Sequence, residues 1–344
     1  MARSKGKKVR YNKEHILSEP PSTDIISELP GHLRETIVGF LPLEDAVRTS
    51  ILSRKWRYCW TMIPNLIFED TFVDRIMDKL FEYDDPELKA FKLVSVINKI
   101  LLLHNGPIVK FSCNFDEGFR DSRIFHDYMD QWIPLLLRKG TKQLVLEHKE
   151  VGEFKTLQNF LSSQTQTKRS NVDHVLGSLS NIEKFSVAME FMQYLAAGRR
   201  LKTLSKPLLC LKTLNISDIY LNKLSEVSCL ICLIRSAPNL CQLNISAKYV
   251  AKGDFKKYQM KDFEECTMDH LEIVTFSYFE GFRAEMKLVK FLLACSPLLK
   301  KMSIHSHEDL EKDVALMMFK EILQYPTASS RVQIQHTTPA EIDV

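Results

Sequence analysis

The chain has 344 residues, of which 45% are hydrophobic and 26% charged, and its formal net charge is +4 at pH 7. This is globular composition, which excludes wholesale disorder and collagen-like structure and fits about two domains or one repeat array. So small a charge does not itself point to nucleic acid, and 11 glycines, about half of ordinary usage, speak against folds that cradle phosphate in glycine-rich turns.

Residues 1–23 are polar and basic, with Arg3, Lys5, Lys7, Lys8, Arg10 and Lys13 preceding the first acid, Glu14. A nuclear-import or nucleic-acid tail is one reading; a solvated leader is the expected one. Without an apolar core the segment is not a signal peptide.

Residues 24–64 read as three short helices. Leu33, Ile37 and Leu41 fall at helical spacing behind Leu29-Pro30, and Pro at a helix start gives up only an N–H that has no helical partner there. Leu41-Pro42-Leu43 breaks the chain, and Glu44 and Asp45 suit the first turn of a second helix carrying the stripe Leu43, Val47, Ile51. Ser53 is placed to cap a third, with Trp56 and Trp60 one turn apart. About forty residues cannot bury enough apolar area to offset their ordering entropy. The segment must therefore pack on the rest of the chain or offer its apolar face to a partner.

Residues 65–105 read as mostly helical, over 72–81 and 87–103. A repeat then emerges: an apolar residue, two tolerant positions, an apolar residue, one position, an apolar residue. Ile182-Phe185-Val187, Leu211-Leu214-Ile216, Leu240-Leu243-Ile245, Leu271-Val274-Phe276 and Leu299-Met302-Ile304 fit it. Ile108-Phe111-Cys113 and Thr141-Leu144-Leu146 fit more loosely. The alternation is a strand signal. Helical stretches at 228–236 and 286–295 end just before Pro238 and Pro297, where proline stops a helix without harming the next strand. A strand and a helix per unit is the leucine-rich-repeat arrangement, with parallel strands on a concave side and helices on a convex one.

Eight cysteines lie in apolar or helical contexts and read as reduced thiols of a cytoplasmic or nuclear protein. No apolar run reaches the ~18 residues of a spanning helix. Cys229-Leu230-Ile231-Cys232 lacks a second ligand pair and reads as helix core. His305-Ser306-His307-Glu308 reads as a solvated loop past a strand. Trp56 and Trp60 are helix-packing groups rather than base-stacking ones. No phosphate loop, nucleophile elbow or zinc-protease motif occurs, so neither catalysis, cofactor nor metal is expected.

The residues from Asp24-Ile25-Ile26-Ser27-Glu28-Leu29-Pro30 through Leu41-Pro42-Leu43-Glu44-Asp45-Ala46-Val47 to Trp56-Arg57-Tyr58-Cys59-Trp60 resemble an F-box. The wider chain resembles the plant F-box/FBD/LRR-repeat family. Trp132 to Gly140, followed by Leu144-Val145-Leu146-Glu147, looks like that family's first well-formed repeat. Phe291 to Leu299, followed by Met302-Ser303-Ile304, looks like its FBD segment. The polar stretch 160–170 departs from the family's run of repeats.

The expected fold is α/β: a three-helix F-box followed by a leucine-rich-repeat solenoid. Its parts are a basic leader (1–23), the F-box (24–64), a helical linker region (65–105), repeats (106–264), an FBD segment closing the solenoid (265–336) and a tail (337–344). The resemblance implies a non-catalytic substrate receptor of an SCF-type (cullin–RING) ubiquitin ligase. Its F-box would bind a Skp-type adaptor, and through it cullin, by Leu29, Pro30, Ile37, Leu41, Pro42, Leu43, Val47, Leu52, Trp56 and Trp60. Its repeats would bind a protein substrate, with Lys212, Asn215, Gln242 and Asn244 among the concave residues. Membrane and nucleic acid are not expected partners. A repeat scaffold without a ligase is the alternative; a hydrolase on an α/β frame is opposed by the missing nucleophile motifs.

Overall fold

The computed structural model describes residues 24–78, 86–115, 123–148, 179–188, 191–192, 203–204, 206–221, 223–248, 267–308 and 310–337. The basic leader, the polar stretch 160–170, Cys266 and the tail beyond 337 lie outside them.

Helix α1 (Gly31–Gly39) starts behind Pro30 and α2 (Leu43–Arg48) behind Pro42, neither with a side-chain cap. Pro42 also disfavours helix at Leu41, which separates the two. Glu44 and Asp45 open α2, and both pair with Arg48, at 2.7 and 3.1 Å. The third expected helix is not an α-helix. Thr49–Ile51 and Cys59–Met62 are 3-10 turns, and Trp56, Cys59, Thr61 and Ile63 donate their N–H groups three residues back. Such winding eclipses side chains three apart, which sets Trp56 and Cys59 on one inward line.

Among the described residues nine strands follow: β1 (Asn65–Phe68), β2 (Lys110–Phe115), β3 (Gln143–His148), β4 (Lys184–Val187), β5 (Thr213–Ile219), β6 (Gln242–Ala247), β7 (Ile273–Phe279), β8 (Lys301–Ser306) and β9 (Gln333–Thr337). They form one sheet in chain order, every neighbour parallel. Between them lie α3 (Asp70–Asp78), α4 (Pro86–Leu103), α5 (Arg123–Arg138), α6 (Leu224–Ser236), α7 (Arg283–Cys295) and α8 (Lys312–Ile322). Residues 65–68, read as part of a helical region, are strand β1. The 41-residue step from Thr141 to Ile182 does not interrupt the sheet, because Gln143 pairs directly with Lys184.

The repeat is visible in the backbone. The carbonyls of Pro64, Val109, Lys142, Glu183, Lys212, Cys241 and Glu272 each accept two N–H groups from the next unit. One register line runs Leu66, Phe111, Leu144, Phe185, Leu214, Leu243, Val274, Met302, Ile334. All but Ile334 are buried, in one apolar core shared with the helices. Alternation in a strand sends their neighbours to the opposite face. That face is left half-exposed or exposed, with Ser186 and Ser303 buried in it.

Two strands carry an extra residue. The register shifts after Ile216 in β5 and after Phe276 in β7. There Asp218 and Tyr278 adopt positive φ, 58° and 56°, a conformation uncommon outside glycine. A carboxylate in the first turn of the following helix holds each connection. Buried Glu226 accepts the Tyr220 N–H at 3.0 Å, and buried Glu285 accepts those of Glu280 and Phe282 at 3.2 and 2.9 Å.

Candidate functional site

The F-box segment sorts its apolar residues into two sets. Val38, Leu43, Ala46, Trp56, Cys59, Trp60 and Ile63 are buried, and burial pushes the Cys59 thiol pKa up. Pro30, Ile37, Leu41, Pro42, Val47 and Leu52 are exposed, while Leu29 is half-buried against the core. Leu43, Trp56 and Trp60, expected among the binding residues, thus pack beneath the exposed set. The reason is the turn of α2: Leu43 and Ala46 share its inward side, so Val47 and then Ile51 fall outward.

The exposed set includes residues that the repeating stripe did not single out. Phe40 is 84% exposed and Ile51 87%, and Ile25, Ile26, Leu33 and Tyr58 are also exposed. Phe40 follows α1 directly as its C-cap residue. Covering six such side chains would be worth on the order of 10 kcal/mol. The rim is charged, with Lys55 paired to Glu28 at 2.9 Å and Arg75 donating to Glu44.

The module is seated on the end of the sheet. The Thr61 carbonyl accepts the N–H groups of Asn105 and Gly106 at 2.9 and 3.0 Å. A Cβ on Gly106 would stand 2.9 Å from Met62 Cα, so only glycine fits this approach. Buried His104 donates Nε2–H to the Ile63 carbonyl at 2.8 Å, and Lys139 reaches the His104 carbonyl at 2.8 Å. Burial first, then the Lys139 charge, lowers the His104 pKa below its ordinary value.

The open sheet face is the second surface. Asn244 donates to Asn215 at 2.8 Å, and Asn215 to Ser186 at 2.7 Å. Glu147 lies alongside, bonded by Ser186 and near Lys184 and Lys110; its partial burial raises its pKa against their pull. Lys212, expected on this face, precedes β5 and lies outside it.

Among the described residues no three His, Cys, Asp or Glu gather to hold an ion. Cys229 and Cys232 lie in α6, where burial raises the Cys229 pKa strongly. His305 and Ser306 belong to strand β8 rather than to a loop past it, because the register with β9 carries on to His305 and Thr337. Among the described residues no helix is long and apolar enough to cross a membrane.

Comparison with known proteins agrees with this division. Residues 26–68 match the F-box domain family model and residues 264–304 the FBD family model. An F-box/FBD/LRR-repeat protein of Arabidopsis thaliana is 26% identical over 422 residues, covering 91% of this chain and 98% of that protein. The alignment is longer than this 344-residue chain, so the relative carries residues with no counterpart here. An F-box/LRR-repeat protein and a second F-box/FBD/LRR-repeat protein of the same plant are each 32% identical, over 137 and 135 residues. Those matches span 39% of this chain and 32% and 28% of the relatives. The chain therefore carries an F-box and an FBD segment and resembles the plant F-box/FBD/LRR-repeat proteins, and one parallel sheet runs from the end of the F-box match through the FBD match.

Proposed function

We propose that the chain is a non-catalytic substrate receptor of an SCF-type ubiquitin ligase, working in the cytoplasm or nucleus. The F-box binds a Skp-type adaptor, and the open sheet face binds the protein to be ubiquitinated. The supporting observation is the exposed apolar face on residues that match an F-box: Ile37, Leu41 and Val47, with Phe40 and Ile51, stand out from a module whose own core is already complete. Apolar patches of this kind mark interaction sites. The adaptor face holds Pro30, Ile37, Leu41, Pro42, Val47 and Leu52; Leu29 is at its edge. Leu43, Trp56 and Trp60 support it from below.

Binding of the purified chain to a Skp-type adaptor by calorimetry tests this. Ile37→Ala with Leu41→Ala should weaken binding by at least about tenfold, since one decade is ~1.4 kcal/mol and interface anchors carry more. Far-ultraviolet circular dichroism should be unchanged, because both side chains are exposed. Wild-type affinity in the double variant would leave the repeat scaffold without a ligase as the better reading.

A further inference from the structure

We propose that the open sheet face takes an acidic, extended segment of its protein partner, held by Lys110, Lys184 and Lys301 beside a row of pre-oriented side-chain amides. This deepens the receptor reading and rests on it for the existence of a partner; the chemistry comes from the face.

Lys110 and Lys184 stand on one register line with Gln143 between them, so their strands are roughly 10 Å apart. Lys301 occupies the same line on β8. None of the three has an ion-pair partner among the described residues. The lysines just before the strands are treated differently: Lys142 pairs with Glu183 and Lys300 with Glu272, at 2.9 and 2.8 Å. Lys142 and Lys300 are thus neutralised at the flank of the sheet, while Lys110, Lys184 and Lys301 on its open face have no ion-pair partner among the described residues.

At the β5 bulge Asp218 pairs with Lys248 at 3.7 Å; the other carboxylate among the described open-face residues is Glu147. It already accepts the Ser186 hydroxyl and lies near Lys184 and Lys110. With Asp218 already paired to Lys248, three lysines against the hydrogen-bonded Glu147 leave the face positive, which is complementary to an acidic partner.

The amides add direction. Gln242 donates to Asn244 at 3.4 Å, Asn244 to Asn215 at 2.8 Å, Asn215 to Ser186 at 2.7 Å, and Ser186 to Glu147. The first bond runs along β6; from Asn244 on, every donor points the same way across four strands, anchored on the carboxylate. Each asparagine uses one N–H sideways and retains a second for a partner carbonyl. Amides fixed in advance lose less entropy when they bind. From β2 to β8 is six strand steps, roughly 29 Å, the reach of eight or nine extended residues. The described open-face positions hold neither Phe nor Trp; their rings are His305 in β8 and, at the β7 bulge, Tyr278, which packs on His307, and they do not form the row of stacking rings that single-stranded nucleic acid uses.

Fluorescence anisotropy on the full chain, without adaptor, provides the test. The probes are labelled peptides of about twelve residues, spanning the face: alternating Glu/Ser, Gln/Ser and Lys/Ser, with a single-stranded RNA of similar length. The Glu/Ser peptide should bind best and weaken with salt. Lys110→Gln, Lys184→Gln and Lys301→Gln together should weaken it about tenfold or more, while Lys142→Gln with Lys300→Gln should change it by less than about twofold. Absent Glu/Ser binding, equal binding of all peptides, tighter binding of the RNA, or an equal loss in the control variant would each overturn the proposal. Adaptor binding measured on the same preparations separates the two readings: where it persists, a failure belongs to the acidic-segment proposal alone.

Discussion

His104 is the residue on which the junction between the F-box and the first repeat turns. Its Nε2 must carry the proton, because the atom facing it is the Ile63 carbonyl oxygen. Burial then keeps the ring neutral, with a pKa below the ordinary value. The unfolded chain therefore takes up a proton before the folded one does. The stability from this site is complete above about pH 6.5 and falls as the pH drops from there toward the folded-state pKa. His104→Gln keeps an N–H donor but does not titrate. Thermal unfolding across a pH series should show a shallower loss of stability on the acid side for this variant than for the native chain. Identical profiles would mean that the ring is solvated. Nothing in the sequence around Leu103-His104-Asn105-Gly106 distinguishes this histidine from a surface one, because its partner carbonyl comes from 41 positions earlier.

At the scale of elements, the bulged strands and the buried glutamates form one device used twice. The extra residue in β5 and β7 turns the chain sharply, which leaves backbone N–H groups facing inward, and Glu226 and Glu285 accept them. A buried donor without an acceptor costs about 1–3 kcal/mol. Glu285→Ala should therefore destabilise the chain by about that amount per stranded N–H, read as a lower urea midpoint, while Glu311→Ala, at an exposed helix start, should change it little. The strands themselves were legible where the spacing repeated, from Ile182-Phe185-Val187 onward, because alternation is a local property. Strand β1 was missed although Ile63-Leu66-Phe68 carries the same spacing, since it adjoins helical sequence on both sides. Strand β9 was missed because Ile334 is its one apolar residue. The two tryptophans four apart predict a third α-helix in the F-box; both are buried, but on turns and a 3-10 segment whose inward line joins residues three apart.

For the molecule as a whole, the F-box and the sheet share one core. Trp56, Trp60 and Ile63 belong to the same buried cluster as Leu66 and Phe68, and hydrogen bonds from Asn105, Gly106, Val109 and Lys110 close the joint. The F-box is thus not a distant module but the cover of the first strand, as repeat arrays require at their ends. The two parts should unfold together. The chain has three tryptophans, so in a Trp132→Phe variant the fluorescence reports on Trp56 and Trp60 alone. Its urea transition should coincide with that of the sheet followed by circular dichroism. An earlier fluorescence transition would show that the F-box melts by itself.

The sequence by itself determined the periodic strand, the proline-punctuated helix starts and the excess of apolar residues in the first forty positions of the folded part. Each depends on residues within a few positions of one another. Only the tertiary structure decided which apolar residues stay outside. Leu43 and Val47 look alike in sequence and differ because the end of the sheet covers one side of α2. It also decided that β3 and β4 pair although 41 positions separate Thr141 from Ile182. Parallel strands gain their hydrogen bonds from a neighbour unit rather than from their own turn, so the register does not depend on how many residues join them. The same non-local pairing aligns Lys110, Lys184 and Lys301 on one open face, an alignment no window of the sequence contains.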